Sequence, residues 1–442
     1  MAGLWWHRRS QEILAEELEC PSLTTFQCHV LSVIWLSNAG LHNTAYSVMA
    51  SGIRIGVVLG LHLEPSQHLS PSDRESRKRI WWIMYALEMK FAMELGRPLA
   101  VSCSQVTCTL PADEELAPDP GRQAALFTAN YVKLILANRA VYITFYKKCA
   151  SEVIKSGKES LYQDLKSLEE CAKFLADRTV YLHTWQRHVP EVLHQQRKGS
   201  GKPFSTDDVE LCFDNADRFT QARQSVLLEI YYHVLAMSLY RPFIIFSGKS
   251  ITMHSTIEAH AISCAKHAIA VTKIIHQVCA ETRYLKGWLE VWQWQWAAIL
   301  SLLGYILAYP NGPATTECRA ALDIATSVLD LHSKTAVADV IRNLVKKVDQ
   351  LILSAKDVLD NETNPAPAYS AISQPPLAAG IGNDTGWDYD SFPSNFEEIN
   401  DMPAGDSGFP FATEQFSTLE GVDAGGQSMF DFLNFENFEG LS

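Results

Sequence analysis

The sequence predicts an all-α fold, a multi-helix domain followed by a disordered acidic C-terminal tail. Apolar residues recur at three- and four-residue spacing through most of positions 10 to 358, whereas alternating strand patterns are scarce. After Lys356 the chain becomes rich in Pro, Ala, Gly and Ser, and beyond that stretch acids alternate with aromatics. We therefore expect a helical domain over 1-358, a flexible linker over 359-386 and a disordered acidic and aromatic segment over 387-442.

Helix start and stop patterns support this fold class. In "SPSD", Ser70 occupies an N-cap position, Pro71 the first helical position and Asp73 the acidic position of a capping box. In "STIE", Ser255 and Glu258 repeat the pattern. Three breaker segments are expected to separate the helices into hairpins or bundles: 111 to 121, 197 to 203 and 309 to 313.

Residues 74 to 98, "RESRKRIWWIMYALEMKFAMELGRP", predict a helix that is buried on most sides. Its apolar positions fall at helical spacing, and two adjacent tryptophans widen the apolar face. Gly96 suits a left-handed C-cap, and Pro98 prevents the helix from continuing. The apolar stripe consists of Ile80, Met84, Leu87, Phe91 and Leu95, widened by Trp81, Trp82, Tyr85 and Met89.

The cations Arg77, Lys78 and Arg79 precede Trp81 and Trp82 in that segment. Phosphate contact with base stacking is one interpretation of this pattern. A solvated charged turn ahead of a core helix is the other, and we favour it because the indoles share the apolar stripe.

Charge is divided unequally along the chain of 442 residues, whose formal net charge is -13. Residues 361 to 442 contain fourteen Asp or Glu and no Lys, Arg or His, so the preceding residues carry 37 basic and 36 acidic side chains. The ten cysteines include no C-x-x-C pair, which argues against a disulfide framework. Since no apolar run has the length of a membrane span or signal peptide, we expect an intracellular protein without a membrane segment.

Three ordered segments resemble the regulatory middle region of fungal transcription factors of the binuclear zinc cluster class. They are "RKRIWWIMYALEMKFAMELGRPLAV" with the following Leu110 and Pro111, "AYSVMASGIRIGVVLGLHLEP" at 45 to 65, and "YYHVLAMSLYRPFI" at 231 to 244. Glu88 stands where the family usually has Asp, and Leu63 where a basic residue often follows the His. The residues that carry the resemblance are Arg79, Trp81, Trp82, Glu88, Gly96, Arg97, Pro98, Arg241, Pro242 and Phe243.

This resemblance implies an all-helical regulatory domain in a nuclear regulator of a metabolic or biosynthetic gene set. Members of the family read DNA through an N-terminal zinc cluster, built on two C-x2-C-x6-C sets that this sequence lacks. Either the chain is truncated, or it works through a partner that supplies the DNA reader. Because the cluster motif is lacking, we expect no cofactor in this chain itself. The resemblance further implies that the protein forms a homodimer or heterodimer and that it responds to a small-molecule effector.

Other motifs leave alternatives open. "DNAD" at 214 to 217 places two carboxylates one helical turn apart, as a magnesium-dependent helical enzyme requires, although an acidic helix start is the simpler interpretation. His260 and His267 share a helix face without further metal ligands, so we expect structural histidines. The alternative to a regulator is therefore an all-helical enzyme or small-molecule-binding protein with an acidic tail.

Two regular spacings predict helix packing. Gly52, Gly56 and Gly60 form a ridge that favours close packing of two helices. Trp288, Trp292 and Trp296 recur at four-residue steps, which predicts a core stripe or, alternatively, an aromatic wall for a small effector.

The C-terminal tail combines acids with aromatics, and plain solubility tails lack such rings. Without cations to pair with, the acids repel one another and keep the chain expanded, while the rings remain available to a partner. This composition predicts an activation segment that recruits co-activators through many weak contacts. Its candidate contact residues are Trp387, Tyr389, Phe392, Phe396, Phe430, Phe432, Leu433, Phe435 and Phe438. The sequence as a whole predicts a transcription regulator that is not an enzyme.

Overall fold

The computed structural model describes most of the chain up to residue 353. The described ranges are 2–102, 105–112, 119–199, 201–207, 210–213, 219–246, 256–286, 288, 290–331, 341–350 and 352–353. Within them the chain forms α-helices and no β-strand, which confirms the predicted all-α class. The predicted linker and tail lie outside the described residues, so these divisions of the chain stay predictions.

Helices α1 to α11 follow one another along the described part of the chain. They are α1 Ala2–Glu16, α2 Leu23–Asn38, α3 His42–Val58, α4 Pro71–Leu95, α5 Asp119–Ser156, α6 Leu165–Arg178, α7 Val180–His188, α8 Phe219–Tyr240, α9 Thr256–Glu281, α10 Glu290–Ala308 and α11 Thr315–Leu331. Residues 341–350 form a further helical stretch.

The ends of α4 follow from its capping residues. The Ser70 hydroxyl accepts a hydrogen bond from the Asp73 backbone N–H at 3.1 Å and donates to the Asp73 carboxylate at 2.7 Å. At the other end Gly96 adopts φ 62°, and its N–H bonds to the Ala92 carbonyl. Both predicted caps are confirmed, because each depends only on residues within one turn of the helix end. The other predicted cap, Ser255, lies outside the described residues.

The breaker segments separate helices as expected. Residues 197–203 lie between α7 and α8, and residues 309–313 lie between α10 and α11. The first segment is shorter than predicted, because α5 begins at Asp119 and therefore includes the proline and glycine at 120 and 121. Proline is compatible with the first turn of a helix, where its missing N–H costs no hydrogen bond.

Two hydrophobic clusters form the interior. The smaller cluster joins α2, α3 and α4 around residues such as Phe26, Met49 and Trp81. The larger cluster is formed by α5 to α11. Helix α4 contributes to both, since Phe91 belongs to the smaller cluster and Met89 to the larger. Helix α4 therefore connects the two clusters, as does α5.

The predicted glycine ridge packs closely at two of its three positions. A Cβ atom on Gly56 would lie 2.7 Å from Phe26 and 3.1 Å from Trp81, and one on Gly52 would lie 3.0 Å from the His29 Cβ. Gly60 differs, because it has φ 66° in the turn after α3 and open space around it. The ridge prediction therefore holds for α3 and is wrong for Gly60, which lies beyond the helix.

The tryptophans in and just before α10 occupy different environments from those expected. Trp288, Trp292 and Trp296 are half-buried at the edge of the larger cluster, whereas Trp294 is 2% exposed. The predicted core stripe is therefore wrong. Helix α10 is also the one helix of the described residues that is long and apolar enough to cross a membrane, yet 56% of that segment is buried within the fold, as in the core helix of a soluble protein.

Candidate functional site

The two adjacent tryptophans of α4 are core residues. Trp81 is 1% exposed and Trp82 is 2% exposed. The Trp82 indole N–H donates to the Thr109 carbonyl at 3.0 Å, and its ring meets that of Tyr85 edge-on at 5.1 Å. Neither indole is accessible to a nucleic-acid base, so this pair stabilises the scaffold.

The basic cluster before them is bonded to neighbouring segments. Arg77 donates to the backbone carbonyl of the residue that follows α3, at 3.1 Å. Lys78 pairs with Glu64 at 2.7 Å and donates to the Thr109 hydroxyl at 2.5 Å. Arg79 is half-buried. The prediction of a solvated charged turn was wrong, because all three cations lie within α4 and because Arg77 and Lys78 bond to the two loops packed against it.

Glu88 is a buried carboxyl that stabilises the loop after α4. It is 1% exposed and accepts hydrogen bonds from the backbone N–H groups of Ala100 and of Val101, the latter at 3.3 Å. Burial raises its pKa to about 7, although the backbone bonds oppose the shift. The glutamate thus supplies a carboxyl at the position where the resemblance leads one to expect an aspartate.

The Gly-Arg-Pro segment connects α4 to α3. Arg97 donates to the Asn43 side-chain oxygen and lies over the Tyr46 ring, 4.7 Å from its centroid. The Tyr46 hydroxyl in turn donates to the Pro98 carbonyl at 3.1 Å. These contacts give the segment a structural role.

The Arg-Pro-Phe segment forms a short 3-10 turn at the end of α8. Phe243 is fully buried, with ring centroids 5.8 Å from Phe145 and 4.9 Å from His260. Arg241 is exposed and Pro242 half-buried. Of the predicted motif residues, the phenylalanine is thus a core anchor, while the arginine remains available at the surface.

An ion pair that the sequence did not predict connects α4 to α10. The Lys90 ammonium bonds the Glu290 carboxylate and lies 3.9 Å from Glu94. The second oxygen of Glu290 accepts from the Tyr231 hydroxyl at 2.9 Å and from the Trp288 indole N–H at 3.2 Å. A lone lysine in "MKF" and a lone glutamate in "WLEVW" were the only local indications of this pair, because its members are 200 residues apart.

Aromatic rings from α5 and α8 border this ion pair. The Tyr131 and Tyr231 rings lie 4.7 Å apart, and Tyr131 stacks with Phe127 at 6.2 Å. We call Lys90, Glu94, Tyr131, Tyr231, Trp288 and Glu290 the junction cluster, since it lies where α4, α5, α8 and α10 meet.

Electrostatics keep the central pair ionised. Burial favours neutral Lys90, but the carboxylates of Glu94 and Glu290 outweigh it and raise the lysine pKa above its ordinary value. Burial likewise opposes ionisation of Glu290, yet Lys90 and the hydrogen bonds hold its pKa below the ordinary value. Glu94 differs, because burial raises its pKa despite the nearby lysine.

A second buried network lies between α8 and the loop before it. Arg197 pairs with Glu229, which also accepts from the Phe204 backbone N–H at 2.7 Å. His233 lies 3.4 Å from Glu229, and its Nδ1 is 2.9 Å from that of His267. Burial, helped by the nearby His233, lowers the pKa of His267 well below its usual value, so His267 is neutral.

The structural role expected of His260 and His267 fits their contacts. His260 donates from Nε2 to the Ala172 carbonyl at 2.8 Å, and His267 bonds His233. Among the described residues no group of three or more His, Cys, Asp or Glu is placed to hold a metal ion, and the nine cysteines found there are free thiols. The acidic motif at 214–217 lies outside the described residues.

The predicted activation residues also lie outside the described part of the chain. They are Trp387, Tyr389, Phe392, Phe396, Phe430, Phe432, Leu433, Phe435 and Phe438. Their role therefore stays a prediction.

Comparison with known proteins finds sequence similarity to regulators of transcription. Residues 7–175 match the family described as "Fungal specific transcription factor domain". The chain is 33% identical over 351 residues to transcription factor asqA of Emericella nidulans, covering 74% of this chain and 60% of that protein. It is 30% identical over 350 residues to the terreic acid cluster-specific transcription factor atF of Aspergillus terreus, covering 75% of this chain and 53% of the relative.

A third relative extends the pattern. The oosporein cluster regulator OpS3 of Beauveria bassiana is 22% identical over 354 residues, which cover 74% of this chain and 48% of the relative. The chain thus spans about half to three fifths of the length of these relatives. No solved structure matches the chain. All three relatives are named as regulators of transcription or of a cluster, not as enzymes, in agreement with the sequence prediction.

Proposed function

We propose that the chain is a regulator of the family that carries the fungal specific transcription factor domain, which its residues 7–175 match, and that it regulates transcription of a biosynthetic gene set. The observation that carries the proposal is the similarity over about three quarters of the chain to two cluster regulators. In this proposal the helical domain is the regulatory part, and the acidic tail recruits co-activators.

The division of charge supports separate roles for the two parts. The helical domain is almost neutral overall, while residues 361–442 contain fourteen acids, twelve aromatics and no cation. Such a segment repels phosphate, so it is unsuited to bind DNA directly. Its rings and acids are instead suited to protein partners.

In this proposal, DNA is bound by residues outside the described helical domain or by a partner protein. A binuclear zinc cluster needs six thiolates that converge on two ions. The free cysteines of the described residues are distributed over several helices and loops, and no three potential ligands converge among these residues. The described residues therefore do not fit such a cluster. We further propose nuclear localisation, dimerisation and control by a small-molecule effector.

Tethering tests the activation role. Residues 361–442, and separately the full chain, are fused to an unrelated DNA-binding domain, and reporter output is measured in a fungal host. We expect activation that falls strongly when four phenylalanines and one leucine of the last segment are replaced by alanine. The replaced residues are Phe430, Phe432, Leu433, Phe435 and Phe438.

A matched control uses the polar residues between those rings. Asn434→Ala combined with Asn437→Ala should leave reporter output unchanged, because neither side chain offers an apolar contact. A silent tether with all rings intact, at normal protein levels, would contradict the activation role.

A further inference from the structure

Helix α1 presents two neighbouring tryptophans to solvent. Trp5 is 60% exposed and Trp6 is 65% exposed, and their rings meet edge-on with centroids 4.7 Å apart. Ile13, two turns further along the helix, is 52% exposed. Since a tryptophan side chain can bury about 250 Å², the two indoles leave on the order of 300 Å² of apolar surface uncovered. The largest apolar patch of a typical monomer is about this size and is often an interaction site.

The opposite face of α1 already packs against α2. The His7 ring stacks with the Trp35 ring at 5.2 Å, and a Cβ atom on Gly3 would lie 2.9 Å from the same indole. Leu14 on this side is 6% exposed. Glycine, histidine and leucine share the inner face because positions 3, 7, 10 and 14 are spaced by four, three and four residues. The exposed tryptophans are therefore not the face by which α1 joins the domain.

The outer face of α1 has opposite charges at its two ends. Positions 6, 9, 13 and 16 are spaced by three, four and three residues and form one outer stripe. The stripe consists of Trp6, Arg9, Ile13 and Glu16, which are all exposed. Arg8 adds a second exposed cation near the start of the helix, and Glu17 a second exposed acid just after its end. Arg9 pairs with Glu12 of the same helix at 2.7 Å, but both side chains are more than half exposed, so this pair contributes little.

We propose that this outer face binds the same face of a second copy of the chain, with the two α1 helices antiparallel. In a two-fold symmetric pair the first half of each helix lies beside the second half of the other. Arg9 of one copy then approaches Glu16 of the second copy, and the same contact forms twice. A parallel pair would instead bring like charges together. The inference rests on the proposed function in one respect, since it names the surface for the dimerisation proposed there.

The size of the face sets the strength of the association. Helix α1 has 15 residues and is therefore about 22 Å long. Two helices of this length form an interface at the low end of the usual size range, where complexes are reversible. The indoles of Trp5 and Trp6 supply the apolar contacts, as tryptophans commonly do in binding hot spots. We expect a dimer with a Kd on the order of 10 µM.

Sedimentation equilibrium tests the inference on the purified full chain, at concentrations from about 1 to 100 µM. We expect a reversible equilibrium between monomer and dimer. Trp5→Ala combined with Trp6→Ala should weaken the dimer at least about tenfold, because the apolar contacts are lost. Ile154→Ala is the matched control, an apolar residue of α5 that is 69% exposed, and it should dimerise as the wild type does. Circular dichroism verifies that the variants are folded.

An exchange of charges tests the antiparallel arrangement. Arg8→Glu combined with Arg9→Glu places acids at both ends of α1, and Glu16→Lys combined with Glu17→Lys places cations at both ends. Each double variant alone should dimerise at least about tenfold more weakly, because like charges then meet. An equimolar mixture of the two should form a heterodimer about as tightly as the wild type forms its homodimer. A general loss of structure would not be reversed by mixing.

Three outcomes would overturn the inference. They are a full chain that stays monomeric at about 100 µM, a dimer that the tryptophan substitutions leave unchanged, or charge variants whose mixture associates no better than either alone. A dimer that persists without the tryptophans would refute this surface and leave the proposed dimerisation intact. The tether of residues 361–442 lacks α1, so its result is independent of this interface.

Discussion

Alanine at Gly56 would place one methyl group between two rigid rings. The nearest atoms to the new Cβ are Phe26 Cε2 at 2.7 Å and Trp81 Cζ3 at 3.1 Å, and both rings are almost fully buried. Real Cβ atoms do not approach other atoms to 2.7 Å, so α2 or α4 must shift away from α3. Because α4 also packs against the larger cluster through Met89, that shift disturbs both clusters.

The magnitude follows from two opposing contributions. Inserting a methyl group into a well-packed core costs about 1–3 kcal/mol. Replacing glycine by alanine inside a helix gains about 1 kcal/mol. Gly304 in α10 provides the matched control, since its new Cβ would lie 3.6 Å from the nearest atom, a normal contact with Ile244. Both variants gain the same stability from replacing glycine by alanine in a helix. The difference between their free energies of unfolding therefore isolates the packing cost of about 1–3 kcal/mol.

Urea unfolding followed by circular dichroism measures this difference. We expect Gly304→Ala to unfold at the same or a higher urea concentration than the wild type, and Gly56→Ala to unfold at a lower one. If Gly56→Ala were as stable as Gly304→Ala, the proposed close packing of α3 against Phe26 and Trp81 would be refuted.

Two further predictions concern buried carboxyls. The folded-state pKa of Glu88, about 7, exceeds its ordinary 4.5, so the stability it contributes is present at low pH and lost as pH rises towards 7. Glu88→Gln should therefore stabilise the fold by about 1–3 kcal/mol at pH 8 and hardly at pH 4.5, and equal effects in thermal melts at both pH values would contradict this. Glu229→Ala leaves the Arg197 guanidinium buried without its carboxylate and should cost about 3–5 kcal/mol in urea unfolding. The control Glu170→Ala, in an exposed pair with Lys173, should leave the unfolding midpoint unchanged, and similar midpoints for both variants would refute the role of the buried pair.

Features with local causes were predictable from the sequence. The Ser70 cap and the Gly96 stop depend on neighbours within one turn, and both are present in the structure. The tryptophan spacing wrongly predicted a core stripe, because four residues advance slightly more than one helical turn. Trp292 and Trp296 therefore lie away from the face that includes Trp294 and Ala298, and Trp288 precedes the helix, which begins at Glu290.

Features that join distant segments were not predictable. Nothing near Lys90 in the sequence identifies Glu290 as its partner, because the pair exists only once α4 and α10 have packed. The same holds for Arg197 and Glu229, which come from a loop and from α8. The resemblance located the motif residues on helices and turns, but their contacts required the structure.

The match to the fungal specific transcription factor domain ends at residue 175, whereas the carboxylate that neutralises Lys90 comes from residue 290. A recombinant fragment cut at the end of that match would leave an ammonium inside the protein without its counter-ion, together with the apolar side of α5 that normally contacts α8. The family match over residues 7–175 is thus shorter than the set of helices that pack together. Fragments for crystallisation should extend at least through α11.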